Sequence, residues 1–107
     1  MSYRIEWVPE AARELKEMFA ARDQQRIRAK IKDIANNLPQ SLGLNTVNIL
    51  REAYVPATAQ DAYEVRIGSG YRAAFWLFPE EERLLVYLAG THDYANSRFI
   101  TASRSRG

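Results

Sequence analysis

The stretch Tyr63-Glu64-Val65-Arg66-Ile67-Gly68-Ser69-Gly70-Tyr71-Arg72-Ala73-Ala74-Phe75-Trp76-Leu77-Phe78 decides the fold. Two β-rich runs, 62–67 and 71–78, flank a Gly-Ser-Gly turn, a spacing that suits an antiparallel hairpin. Side chains alternate along a strand, so Glu64 and Arg66 share one face and Val65 and Ile67 the other. In the second run Arg72, Ala74, Trp76 and Phe78 share a face, with Tyr71, Ala73, Phe75 and Leu77 opposite. Beyond Arg72 both faces are apolar, the mark of a central strand.

Outward from this hairpin, 83–90 continues the meander past the turn Pro79-Glu80-Glu81-Glu82. Upstream, 39–60 reads as a long connection holding one short strand, Val47-Asn48-Ile49-Leu50. Before it, Ile27, Ile31, Ile34 and Leu38 recur at helical spacing and form an apolar stripe. Asp23 is a candidate cap for that helix, and Asn36, Asn37 and Pro39 end it. Arg26, Arg28, Lys30 and Lys32 occupy its other side. An earlier helix, opened by Pro9 and carrying Ala11, Leu15, Met18 and Phe19, runs to about residue 21. Residues 3–8 alternate as a half-buried strand with Tyr3, Ile5 and Trp7 on one face. The expected architecture is α+β: a two-helix hairpin on one face of an antiparallel sheet of about four strands, in the order β-α-α-β-β-β. The other sheet face is left open.

Composition sets the outer bounds. The chain has 107 residues, 47% hydrophobic and 26% charged, which is ordinary globular usage and implies one domain. No apolar run is long enough for a bilayer, and residues 1–6 lack a signal-peptide core. The absence of cysteine excludes a disulfide framework and fits a cytoplasmic protein. A net charge of +2 names no polyanionic partner, so placement of the twelve arginines and three lysines matters more than their sum. Residues 1–99 are expected to form the domain and 100–107 a fraying tail.

With Arg72 on the same face as Arg66 and Glu64, the open face presents two guanidiniums, a carboxylate and the Trp76 ring. Arginine forks bind phosphate and aromatic rings stack bases, so this is an RNA-type surface. The plain alternative is a solvated strand face in which Glu64 pairs with an arginine. The single histidine, His92, follows the last strand beside Asp93 and Tyr94, and an imidazole suits acid–base work. One histidine with scattered carboxylates makes no metal site, and no glycine-rich phosphate loop opens a helix.

The run 63–75 resembles the hairpin signature of the RelE/ParE toxin superfamily, Y-x-[VI]-R-x-G-x-[YH]-R-h-h-[FY]. Val47-Asn48-Ile49-Leu50-Arg51-Glu52 is similar to the segment that precedes it in that family. The first strand, the helical hairpin and the Gly90-Thr91-His92-Asp93-Tyr94 ending also fit, so the resemblance spans residues 3–99. It implies the toxin of a toxin–antitoxin pair, neutralised by a cognate antitoxin that folds on binding. RelE-like members cut mRNA in the ribosome; ParE-like members inhibit DNA gyrase without nuclease residues; a third possibility is a retained fold with no activity. For a nuclease, the resemblance implies a reaction without metal or cofactor. His92, Arg72, Arg66, Tyr94 and Glu64 are then the candidate catalytic residues, with Arg26, Arg28, Lys30, Lys32 and Trp76 as RNA contacts. The lysine pair of the most basic RelE-like enzymes is absent, and Glu64 stands where some members have lysine.

Overall fold

A computed structural model of the chain describes residues 2–18, 20–68 and 70–91. Strand β1 (Arg4–Trp7) leads into helices α1 (Pro9–Met18) and α2 (Ala21–Asn36). A short 3-10 turn, Gln40–Gly43, precedes β2 (Val47–Ile49), and the meander follows as β3 (Ala62–Ile67), β4 (Tyr71–Phe78) and β5 (Arg83–Thr91). Pro9 starts α1, where its missing N–H has no helical partner to lose. Helix α1 ends at Met18, a turn short of the expected residue 21, and Phe19 lies outside the described residues.

Helix α2 buries the expected stripe of Ile27, Ile31 and Ile34, and Leu38 beyond its end extends it. Each such side chain contributes about 1.5–3 kcal/mol on burial, whereas exposed ion pairs contribute under about 1 kcal/mol. Packing, not charge, therefore holds α2. Its start corrects the capping expectation. The N-cap is Ala20, which makes no side-chain cap, and Asp23 sits one turn inside the helix. There its carboxylate accepts the Tyr71 hydroxyl at 2.9 Å, tying α2 to the β3–β4 hairpin.

Among the described residues the sheet has five strands rather than about four, in the order β1-β5-β4-β3-β2. It is mixed rather than antiparallel, because β1 lies parallel to β5 with Arg4 opposite Arg83 and Trp7 opposite Val86. The two helices carry the chain across the sheet face between β1 and the meander, which lets β1 return as an edge strand beside β5. Helices cover the face built from Val65, Ala73, Phe75, Leu77, Leu84 and Val86, all buried with Leu15 of α1 in one core.

On the opposite face the β4–β5 ladder is irregular. Ala74 pairs with Leu88 but Phe75 with Val86, which leaves Tyr87 as the extra residue of a β-bulge. Tyr87 and Leu88 consequently both pack with Ala74 on the face away from the helices. Leu50 joins this second cluster, so the 50–60 connection covers part of a face expected to be open. Among the described residues no helix is long and apolar enough to cross a membrane.

Candidate nucleic-acid interface

The β3–β4 register places Arg66 directly opposite Arg72, and Glu64 opposite Ala74. All four belong to the face away from the helices, as the alternation predicts. Arg72 donates from Nη1 to Glu64 Oε1 at 2.5 Å, with the two side chains only 20% and 10% exposed. This is a charge-assisted bond in a partly dry setting, and it neutralises Arg72. Arg66 is different. Its guanidinium is exposed and donates from Nη2 to the Asn45 carbonyl at 2.8 Å, a neutral acceptor that fixes the fork without cancelling its charge.

Beside this pair stands an aromatic group. Trp76 stacks on Tyr87 with centroids 4.0 Å apart and rings inclined by 15°. Tyr54 meets the indole nearly at right angles at 6.2 Å, and Trp76 Nε1 donates to the Tyr54 carbonyl at 2.8 Å. The indole thus already has one ring partner on the sheet and one in the 50–60 connection, which restricts it as a platform for a base. Tyr87 Oη is buried with no hydrogen-bond partner among the described residues. Burial, and secondarily the Glu64 carboxylate, push its phenol well above the ordinary tyrosine range.

The four basic residues of α2 do not form one face. Positions two apart diverge on a helix, whereas positions four apart align. Arg28 projects toward β1 and lies over the Trp7 ring at 5.3 Å. Arg26 and Lys30 instead line a cleft of about 450 Å³ with Arg66, Thr46, Asp33 and Gly68. Lys32 is exposed, one turn beyond Arg28. The result is two separate basic rows, and only the Arg26–Lys30 row meets the β3 arginine.

His92 and Tyr94 lie outside the described residues, as do residues 100–107. Thr91, the residue before His92, is paired with Tyr71, the neighbour of Arg72. Two groups escaped the sequence reading. Tyr87 shares the open face with Leu85 by plain alternation along 83–90, and the bulge brings Leu88 to the same face. Glu14 is only 5% exposed, and its Oε1 accepts the Ala89 N–H at 3.4 Å. Its signal was legible: three residues after Ala11 and one before Leu15, it falls on the buried stripe of α1. Among the described residues no cluster of three His, Cys, Asp or Glu could hold a metal ion.

No protein-family model matches the chain, and neither does any curated protein sequence. Solved structures do resemble it. A mutant of the E. coli toxin RelE in the free state superposes with a TM-score of 0.70 at 19% identity, covering 99% of this chain and 98% of its own. RelE in the archaeal RelE–RelB complex from Pyrococcus horikoshii gives 0.64 at 18% identity, over 85% of this chain and 96% of that one. The isolated E. coli RelE toxin gives 0.62 at 19% identity, over 90% and 95%. The chain has the RelE fold.

Proposed function

We propose that this chain is the toxin of a toxin–antitoxin pair and acts as a ribosome-dependent mRNA endonuclease. The observation that carries the reading is the directly opposed Arg66 and Arg72 on the non-helical face of a RelE fold. Two guanidiniums at adjacent strand positions suit the charge that grows on a phosphorane, a type of electrostatic contribution worth a few kcal/mol. In the proposed reaction a base removes the ribose 2′-OH proton and O2′ bonds to the adjacent phosphorus. The bond from phosphorus to O5′ breaks, and an acid protonates the departing O5′. The products are a 2′,3′-cyclic phosphate and a 5′-hydroxyl. His92 is our candidate for one proton transfer, with Tyr94 or Glu64 as its counterpart. RNA is the substrate because DNA lacks the nucleophile.

A cognate antitoxin is the proposed protein partner, as the RelE–RelB complex suggests by likeness of fold. The edge strand β2 supports this reading, since Ile49 on it and Leu44 just before it are exposed apolar side chains at 45% and 41%. The alternative is a ParE-like gyrase inhibitor with no nuclease activity. One observation favours it: Glu64 already neutralises the arginine that a nuclease would aim at phosphate.

Induced expression without a partner separates the two. Growth arrest with cuts positioned on mRNA codons, lost in His92→Ala, is the result expected of the nuclease. Arrest with intact mRNA and blocked DNA supercoiling would replace it with the gyrase reading.

A further inference from the structure

The cations without carboxylate partners among the described residues do not all sit where the proposed reaction needs them. Arg72 is paired, but Arg26, Lys30 and Arg66 converge on the cleft between α2 and the end of β3. Among the described residues none of the three takes part in an ion pair. Asp33 is the one acidic residue among those lining the cleft, so three cations against one carboxylate leave an excess of positive charge.

Three features make this more than a basic patch. The Arg66 fork is held by the Asn45 carbonyl at 2.8 Å, so its remaining N–H groups are oriented before any ligand arrives. Arg26 is seated over Gly68: a Cβ there would lie 2.9 Å from Arg26 Nη2, and Gly68 has a φ of +62° that other residues rarely adopt. Finally, Thr46 lines the cleft, and its buried Oγ1 has no hydrogen-bond partner among the described residues. A buried hydroxyl in that state gains from an acceptor. Two guanidiniums, an ammonium and a hydroxyl form a donor set that suits a phosphate oxygen cluster.

We propose that this cleft is a second phosphate subsite, which holds a backbone phosphate of single-stranded RNA next to the one that Arg72 contacts. The inference rests on the nuclease reading for its ligand. Arg66 links the two positions, because it pairs with Arg72 across the β3–β4 ladder and also lines the cleft. A chain of phosphates can therefore pass from the sheet face around the Arg66 end of β3 to α2. An acidic peptide would match the charge but has no reason to continue onto the Arg66–Arg72 row.

The test is binding of a fluorescent single-stranded RNA oligonucleotide across a range of salt concentrations. The proteins are the wild type, Arg26→Gln/Lys30→Gln, and a charge-matched control, Arg13→Gln/Lys16→Gln, on the exposed side of α1. Circular dichroism and thermal melting establish that each variant is folded. Losing the one phosphate held there should flatten the dependence of log affinity on log salt by about 0.7, the value for one neutralised phosphate on a single strand. The control should keep the wild-type slope. A slope unchanged in Arg26→Gln/Lys30→Gln, or flattened equally in the control, overturns the subsite. So does a poly-glutamate peptide that loses binding in the double variant while RNA binding stays intact. Failure of the nuclease reading looks different: wild-type protein would leave ribosome-bound mRNA uncut, yet still bind RNA with the cleft-dependent slope.

Discussion

Glu64 and Arg72 form a two-charge unit on the open face, and such a unit resists loss of one partner far more than it adds stability. Glu64→Ala leaves a partly buried guanidinium uncompensated and is expected to cost about 2–3 kcal/mol in urea unfolding. Glu64→Gln keeps an acceptor but removes the negative charge, so RNA should bind up to about tenfold more tightly, equivalent to ~1.4 kcal/mol. A weaker RNA affinity in that variant would mean that Glu64 serves RNA directly. Tyr87 behaves in the opposite way, because its buried hydroxyl has no partner among the described residues. Tyr87→Phe should stabilise the fold by about 1 kcal/mol. Its raised phenol pKa adds a pH signature: below about pH 10 the phenol is neutral folded and unfolded, and as pH rises further the unfolded phenol ionises and the fold loses stability. Melting curves of Tyr87→Phe should therefore fall less steeply above pH 10 than those of the wild type. A destabilised variant would reveal a hydroxyl partner.

Strand β1 is held to β5 partly by Glu6, whose Oε1 accepts from Arg83 Nη1 at 2.9 Å. Arg83 foremost, and Arg4 beside it, hold the Glu6 carboxyl below its ordinary range. Because the folded value is the lower one, this contribution is present above the unfolded pKa and disappears as pH falls through the folded pKa. Glu6→Gln should accordingly lose melting temperature at pH 7 but show a flatter decline on acidification below about pH 4.3. The β3–β4 turn gives a second comparison. Gly68 has a φ of +62° and Arg26 against it, whereas a Cβ on Gly70 would meet nothing within 4 Å. Gly68→Ala should cost about 1–2 kcal/mol and Gly70→Ala almost nothing, measured by the same unfolding curves. At this scale the chain was largely readable. The Ile27-Ile31-Ile34 stripe and the alternation of 62–67 and 71–78 are local periodicities, and both gave the elements observed. Three features were not local and escaped. The parallel β1–β5 pairing joins Arg4 to Arg83, the bulge brings Leu88 onto the open face beside Tyr87, and Asp23 serves Tyr71 instead of capping a helix.

At the scale of the whole molecule, positive charge is divided rather than concentrated. Helix α2 sends Arg26 and Lys30 toward the end of β3 and Arg28 toward β1. The sequence could place Arg66 and Arg72 on one face, because alternation and hairpin register suffice for that. It could not tell that Glu64 would neutralise one of them, since a carboxylate two residues from an arginine along a strand can equally face solvent. The RelE fold supplies the frame, and the opposed arginines supply the proposed chemistry. The most direct test adds purified protein to ribosomes programmed with a defined mRNA and maps cuts by primer extension, comparing wild type with a folded Arg72→Ala variant. The account predicts cuts at the decoding site by the wild type, slowed by about a hundredfold or more in the variant. Intact mRNA with the wild type, or equal cutting by both proteins, would contradict it.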